Sequence, residues 1–377
     1  MFSVASIVGT RPDALKMAPV IQELARHPDS VRQIVISTGQ HREMLQQVLD
    51  VFQITPDYNL DIMLPGQSLA QITSRVLERL DPLLAEIKPD VLLAQGDTST
   101  TFVASLAAFY HQIPVGHVEA GLRTDNKYDP FPEEINRRLT APLADYHFAP
   151  TETSANNLRK EGAPEERIYQ VGNTVIDALL EVAARPYRFA DEELDRATSG
   201  PLRVVTVTAH RRENLGAPLG RICEAVAQIV RTQPDVQVVF QMHKNPQVRN
   251  VIRERLQHEA RVLLVEPQEY VPWVNLMKRS TLLLTDSGGI QEEGPALGKP
   301  ILVMRETTER PEGVAAGTAR LVGTDPAIIL GEATKLLTEP AAYEAMARAS
   351  NPYGDGKAAE RIVAVLMERF GGRSRSE

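Results

Sequence analysis

Short apolar runs alternate with amphipathic stretches along the whole chain. They predict strands at 2–8, 33–37, 91–94, 115–118 and 146–148, and again at 203–207, 237–241, 262–265, 282–284 and 301–304. The runs are brief and mostly continuous, as in strands buried on both faces. Helical patterns fall between them, so the order is βαβα and the expected fold class is α/β, with parallel sheets wrapped by helices. There are too many strands for one comfortable doubly wound sheet. A charged stretch at 185–201, carrying Pro and Gly and no apolar stripe, puts a domain junction in or just before it. The division adopted is 1–170 and 171–355.

The polar residues sharpen this picture. Gly9-Thr-Arg-Pro12, Thr38-Gly-Gln-His41, Gln95-Gly-Asp97 and Glu119 each follow a predicted strand. In the second half the same is true of Ala209-His-Arg-Arg-Glu213, His243-Lys-Asn-Pro246, Asp286-Ser-Gly-Gly289 and Arg305. Ligands of open parallel sheets bind at the carboxyl ends of the strands. Two such domains with their carboxyl edges facing across a cleft are therefore expected. Ordinary βα loops are polar as well, but His, Arg and lone Glu after apolar runs are not typical of solvated loops.

The 377 residues suit two domains of ordinary size, and 43% hydrophobic with 24% charged is globular. The net charge of -8 argues against a broad nucleic-acid surface. The single cysteine, Cys223, shares the apolar positions of a helix and reads as a core thiol, with no disulfide or Cys-based zinc site. No apolar run reaches membrane-spanning length, and the first residues read as a strand, not a leader. A cytoplasmic protein without membrane attachment is expected.

The stretch 285–300 holds the strongest candidate binding site. A strand ending in Asp286-Ser-Gly-Gly289 and turning into a helix offers free backbone N–H groups and a positive dipole end to an anion. Ser287, Gly288 and Gly289 suit a diphosphate. Glu293, one helical turn above Gly289, suits a pair of sugar hydroxyls. The plain alternative is a Gly turn in an ordinary αβ unit. In the first half, Arg11 and Lys16 lie near the start of a helix that begins at Pro12, where the dipole gives a cation nothing, so they imply an anion from elsewhere. Asp97 opens a helix and reads either as a cap or as a functional acid. His117 and Glu119 share one strand face, and Glu133 and Glu134 follow Pro132 at a helix start. Three strand ends thus bring Asp97, Glu119 and Glu133 or Glu134 toward one edge, as proton transfer near neutral pH requires. Their spacing with His117 fits no zinc template, and no metal is expected. His210, flanked by Arg211 and Arg212, is a proton carrier or phosphate contact. Tyr270 with its neighbours frames a flat base, and Arg310 before Pro311 is a further phosphate or sugar contact.

Taken together and in order, the motifs resemble one family. They are Val8-Gly-Thr-Arg-Pro12, Gly96-Asp-Thr98, Gly116-His-Val-Glu-Ala-Gly-Leu-Arg123, Pro132-Glu-Glu134, Thr208-Ala-His-Arg-Arg-Glu-Asn214, Asp286-Ser-Gly-Gly-Ile-Gln-Glu-Glu293, Thr307-Thr-Glu-Arg-Pro311 and Asn351-Pro-Tyr-Gly-Asp-Gly356. They look like the bacterial non-hydrolysing UDP-N-acetylglucosamine 2-epimerases. The resemblance implies two Rossmann-like domains in a glycosyltransferase-B-like arrangement, with 356–377 packing back on the first. It implies interconversion of UDP-N-acetylglucosamine and UDP-N-acetylmannosamine through elimination of UDP to a 2-acetamidoglucal and re-addition, for cell-surface polysaccharide precursors. No cofactor is implied, and a homodimer is. By matching position Asp97, Glu119, Glu133 and His210 are catalytic. Arg11, Lys16, Ser287, Gly288, Gly289 and Arg310 hold UDP, with Glu293 on the ribose. A regulatory site for UDP-N-acetylglucosamine is implied at Gln40, His41, Glu133, Arg211 and His243. Glu43 and Gly66 depart from its pattern of Gln and Arg, which predicts weak substrate activation. The other enzyme reading is a UDP-sugar-dependent glycosyltransferase of the same fold, which needs an acceptor. A non-catalytic nucleotide-sugar sensor would not need the carboxylates.

Overall fold

The computed structural model describes residues 1–39, 42–64 and 66–372, with backbone alone at 42–44. It divides into two compact units, Met1–Ala178 with Tyr353–Glu377, and Leu179–Pro352. The chain thus crosses between units at 178/179 and 352/353, where the division adopted from the sequence was at 170/171 and the family resemblance implied a return at 356. The first crossing lies inside the continuous helix Thr174–Ala184, so no Pro, Gly or polar break marks it.

The first unit carries a parallel sheet of β1 (Phe2–Val8), β2 (Val31–Ser37), β3 (Tyr58–Asn59), β4 (Val91–Gln95), β5 (Val115–Val118), β6 (Tyr146–Ala149) and β7 (Ile168–Gln170), in the order β3-β2-β1-β4-β5-β6-β7. The second carries β8 (Arg203–Thr208), β9 (Val236–Gln241), β10 (Val262–Val265), β11 (Leu282–Thr285), β12 (Ile301–Val303) and β13 (Ala319–Leu321), in the order β10-β9-β8-β11-β12-β13. Every ladder is parallel. In both sheets the order reverses beside the first strand of its unit, and that reversal opens the crevice at the carboxyl edge.

Burial explains the apolar runs. All seven residues of β1 are buried, with helices on both faces of the sheet. In the second unit Val205 and Val207 pack on one side against Ile222, Cys223 and Val226 of the helix Ala217–Thr232. Val204 packs on the other side with Val239 and Leu276. Each fully buried aliphatic side chain contributes about 1.5–3 kcal/mol. Cys223 is buried in that core, which pushes its thiol up to about 12. The helix Ala358–Phe370 belongs to the first unit, where Phe370 stacks on Phe2 with ring centres 5.6 Å apart and meets Tyr146 edge-on at 5.8 Å.

Candidate active site

In the first unit the site grows from three turns. The turn after β1 is closed by a capping box. Thr10 Oγ1 accepts from the Asp13 amide at 3.5 Å, and Asp13 Oδ2 accepts from the Thr10 amide at 3.2 Å. This fixes Arg11 and Lys16 at the start of the helix Arg11–Ala25. Lys16 does have an anion to face, and it is Glu119, which follows β5. Lys16 Nζ lies 2.7 Å from Oε1 and 2.5 Å from Oε2, and the Gln95 carboxamide also donates to Oε2. Glu119 is buried and sits at φ 65°, in the left-handed region that a side chain with a Cβ adopts only at a cost.

Asp97 follows β4 but does not cap the next helix. Thr98 does that, with its hydroxyl accepting from the Thr101 amide. The Asp97 carboxylate is left for Arg137, whose Nε and Nη2 donate to Oδ2 at 2.9 and 2.6 Å, and Asn136 Nδ2 donates to the Asp97 carbonyl at 2.8 Å. Both partners lie on the helix Glu133–Thr140, of which Glu133 is the first residue. The adjacent carboxylates part company there. Glu134 is fully buried and taken up by Arg137, Arg138 and the Thr124 amide at 3.3, 2.9 and 3.1 Å. Glu133 is only partly buried. Of the two, Glu134 therefore braces the loop, and Glu133 keeps part of its surface open. His117 is buried, its Nε2–H donating to the Gly96 carbonyl at 2.7 Å, and burial lowers its pKa to about 4, so it stays neutral and structural.

In the second unit Asp286, at the end of β11, organises the turn after β8. Its Oδ2 accepts from the amides of His210 and Arg211, both at 2.8 Å, and from Asn214 Nδ2 at 3.0 Å. Oδ1 has no hydrogen-bond donor among the described residues and lies 3.3 Å from His210 Nδ1. Burial lowers the His210 pKa, and the nearby Asp286 charge opposes that shift. The His210 ring stacks on His243 with centres 5.4 Å apart. Arg211 Nη2 donates to Glu309 at 3.0 Å. Ser287 precedes the helix Gly288–Ala296 without a side-chain cap, so the first-turn amides point outward from that end. A Cβ at Gly288 would come 2.9 Å from Glu309 Oε1, whereas one at Gly289 would meet nothing within 4 Å. Glu293 is buried one turn on, and Glu292 beside it pairs with Arg310. Tyr270 is buried at the first turn of the helix Tyr270–Arg279. Gln40 and His41 lie outside the described residues.

The two groupings have different chemistry. The first unit assembles carboxylates with cations and an amide, which suits proton transfer. The second assembles an uncapped helix start with a histidine held over a buried aspartate, which suits an anion and a proton carrier.

The UDP-N-acetylglucosamine 2-epimerase family model matches residues 22–367. The chain belongs to that family. It is 54% identical over 368 residues to the UDP-N-acetylglucosamine 2-epimerase of Escherichia coli K12, covering 96% of this chain and 98% of that one. It is 52% identical over 370 residues to the Bacillus subtilis protein of the same name, covering 98% and 96%. The crystal structure of the Neisseria meningitidis epimerase bound to UDP-GlcNAc superposes with a TM-score of 0.90 at 48% identity, covering 97% of this chain and 100% of that one. The glycotransferase of kitacinnamycin, at 14% identity and a TM-score of 0.65, shares the fold alone. Gln95, Asn136, Arg137, Asn214 and Asp286 belong to these two groupings as well, and the sequence pattern did not assign them. Their motifs held the signal, but their partners lie up to 90 positions away.

Proposed function

We propose that this epimerase interconverts UDP-N-acetylglucosamine and UDP-N-acetylmannosamine by anti-directional proton and UDP chemistry on one intermediate. A base removes the C2 proton, the C1–O bond breaks with both electrons leaving on UDP, and the 2-acetamidoglucal forms. UDP then adds back to C1 while C2 receives a proton on the opposite face. Asp97, Glu119 and Glu133 supply the acid and base, and His210 is the fourth proton-active group. Ser287, Gly288 and Gly289 hold the diphosphate, Glu293 the ribose, Tyr270 the base, and Arg11, Lys16 and Arg310 add positive charge to retain the departed UDP. The observation that carries this reading is the pairing of Asp97 with Arg137 and of Glu119 with Lys16 at one sheet edge, in a chain of this family.

The test is incubation with UDP-N-acetylglucosamine alone in deuterium oxide. Deuterium enters C2 of both epimers without an acceptor, and Asp97→Asn and Glu119→Gln each slow its entry by about 100-fold or more. A sugar nucleotide that stays inert until an acceptor is supplied would favour a glycosyltransferase.

The protein acts as a homodimer in the cytoplasm on this reading, supplying polysaccharide precursors. Light scattering is expected to give twice the 41.6 kDa of one chain. Glu43 and Gly66, which place an anion and remove a cation beside the implied regulatory diphosphate, leave substrate activation weak. The rate is therefore expected to depend hyperbolically on UDP-N-acetylglucosamine, and a strongly sigmoidal curve would contradict this.

A further inference from the structure

Gln95 closes β4, is buried, and is used at both ends. Its main-chain carbonyl accepts from the Thr101 hydroxyl, and its carboxamide donates to Oε2 of Glu119. β4 and β5 pair with Gln95 opposite Val118, so Glu119 is one step past the register partner of Gln95. Two side chains therefore grip one carboxylate, and they grip it differently. Lys16 brings charge on a flexible stem, and an ammonium turns to follow whatever acceptor it meets. The carboxamide is planar, neutral and mounted on a strand whose end is pinned by Thr101. It dictates a direction without adding charge. Glu119 needs such a guide, because its left-handed backbone lies outside the regular strand geometry that orients its neighbours. Neither the proton transfers nor the UDP contacts described above use Gln95.

We propose that Gln95 is a positioning residue for the epimerase reaction: its carboxamide sets the plane of the Glu119 carboxylate and, with Lys16, holds that carboxylate in its ionised form. The inference rests on Glu119 acting at C2. Lys16 on the helix Arg11–Ala25 is a charged partner of this carboxylate, and Asp97, paired with Arg137, follows two residues after Gln95 in the chain.

The sign of the effect follows from the donor. A carboxylate that loses a hydrogen-bond donor is less favoured over its acid, so its pKa rises. A base with a raised pKa is available only at higher pH, so the acid limb of kcat/KM moves up. Gln95→Met keeps the side chain's volume and removes the donor. It is expected to lower kcat for C2 deuterium exchange by about ten- to a hundred-fold, the size of one hydrogen bond to a charged group. KM for UDP-N-acetylglucosamine stays unchanged and the acid limb moves to higher pH. Gln95→Glu sets a second carboxylate against Glu119 and loses more activity, with a larger limb shift. Gln95→His keeps an N–H at nearly the same reach and recovers most of the rate.

Wild-type kcat with a wild-type limb in Gln95→Met overturns the proposal, and so does a rate loss with no movement of the limb. Should Gln95→Met fail to fold, equal activity in Gln95→His and Gln95→Glu overturns it, and a clear advantage of Gln95→His supports it. Failure of the underlying reading is seen separately: Glu119→Gln that still exchanges C2 at the wild-type rate removes Glu119 from the chemistry whatever the Gln95 variants do.

Discussion

Asp286 illustrates what a single side chain decides in this protein. It is fully buried, yet three donors converge on its Oδ2, and two of them are the main-chain amides that shape the His210 turn. Three donors on one buried oxygen offset the loss of water around it. The Asp286 charge then raises the pKa of His210 against the lowering effect of burial. Asp286→Asn keeps an acceptor for the turn and deletes the charge. The His210 pKa, followed by NMR of the ring protons, is expected to fall further below its ordinary value, with a fall in kcat. An unchanged titration would show that the Asp286 charge does not reach the ring. Lys16 makes the same point from the other side. The position of a cation at a helix start showed that an anion was needed. That the anion is Glu119, 103 positions away, is a product of folding.

Among the elements, the strands with buried apolar runs were readable and three others were not. β3, β7 and β13 are two or three residues long, and each lies at an end of its sheet. Edge strands are covered on fewer sides, so they need no continuous apolar run, and Tyr58-Asn59 leaves none to see. The last helix shows what one element contributes. Phe370 is almost wholly enclosed between the N-terminal strand and β6. Phe370→Ala is expected to destabilise the first unit by about 3–5 kcal/mol. In urea the transition of that unit should move to lower denaturant, while a probe at Trp273, which packs in the second unit's core, moves little. A loop glycine carries a comparable constraint. Gly121 has φ 89°, and a Cβ there would lie 2.2 Å from the Ser154 carbonyl oxygen. Gly121→Ala therefore lowers the melting temperature through both strain and a clash with backbone that cannot move aside.

For the whole molecule, two buried groups of the first unit pull stability in opposite directions with pH. His117 has its pKa lowered from 6.5 to about 4, so between those values the unfolded chain binds a proton that the folded one refuses, and stability is lost as pH falls. Asp13 has its pKa raised from 3.8 to about 6, chiefly by burial, so the folded chain keeps a proton that the unfolded one releases, and stability is lost as pH rises from 4 to 6. Each effect amounts to about 3 kcal/mol. Asp13→Asn deletes the second, so urea unfolding at pH 4, 5 and 6 is expected to show stability rising with pH more steeply than in the wild type. The sequence by itself determined the βα order, two domains' worth of strands, and the carboxyl-edge position of nearly every polar residue that matters, because burial on both faces and turn chemistry leave local marks. It carried the family motifs as well. Only the tertiary structure decided which of Glu133 and Glu134 is spent on Arg137 and Arg138, that Thr98 and not Asp97 caps its helix, that Gln95 and Lys16 share Glu119, and that Asp286 supports His210. Those choices depend on ladder register and on which turns meet at a sheet edge, and no local period in the chain records them.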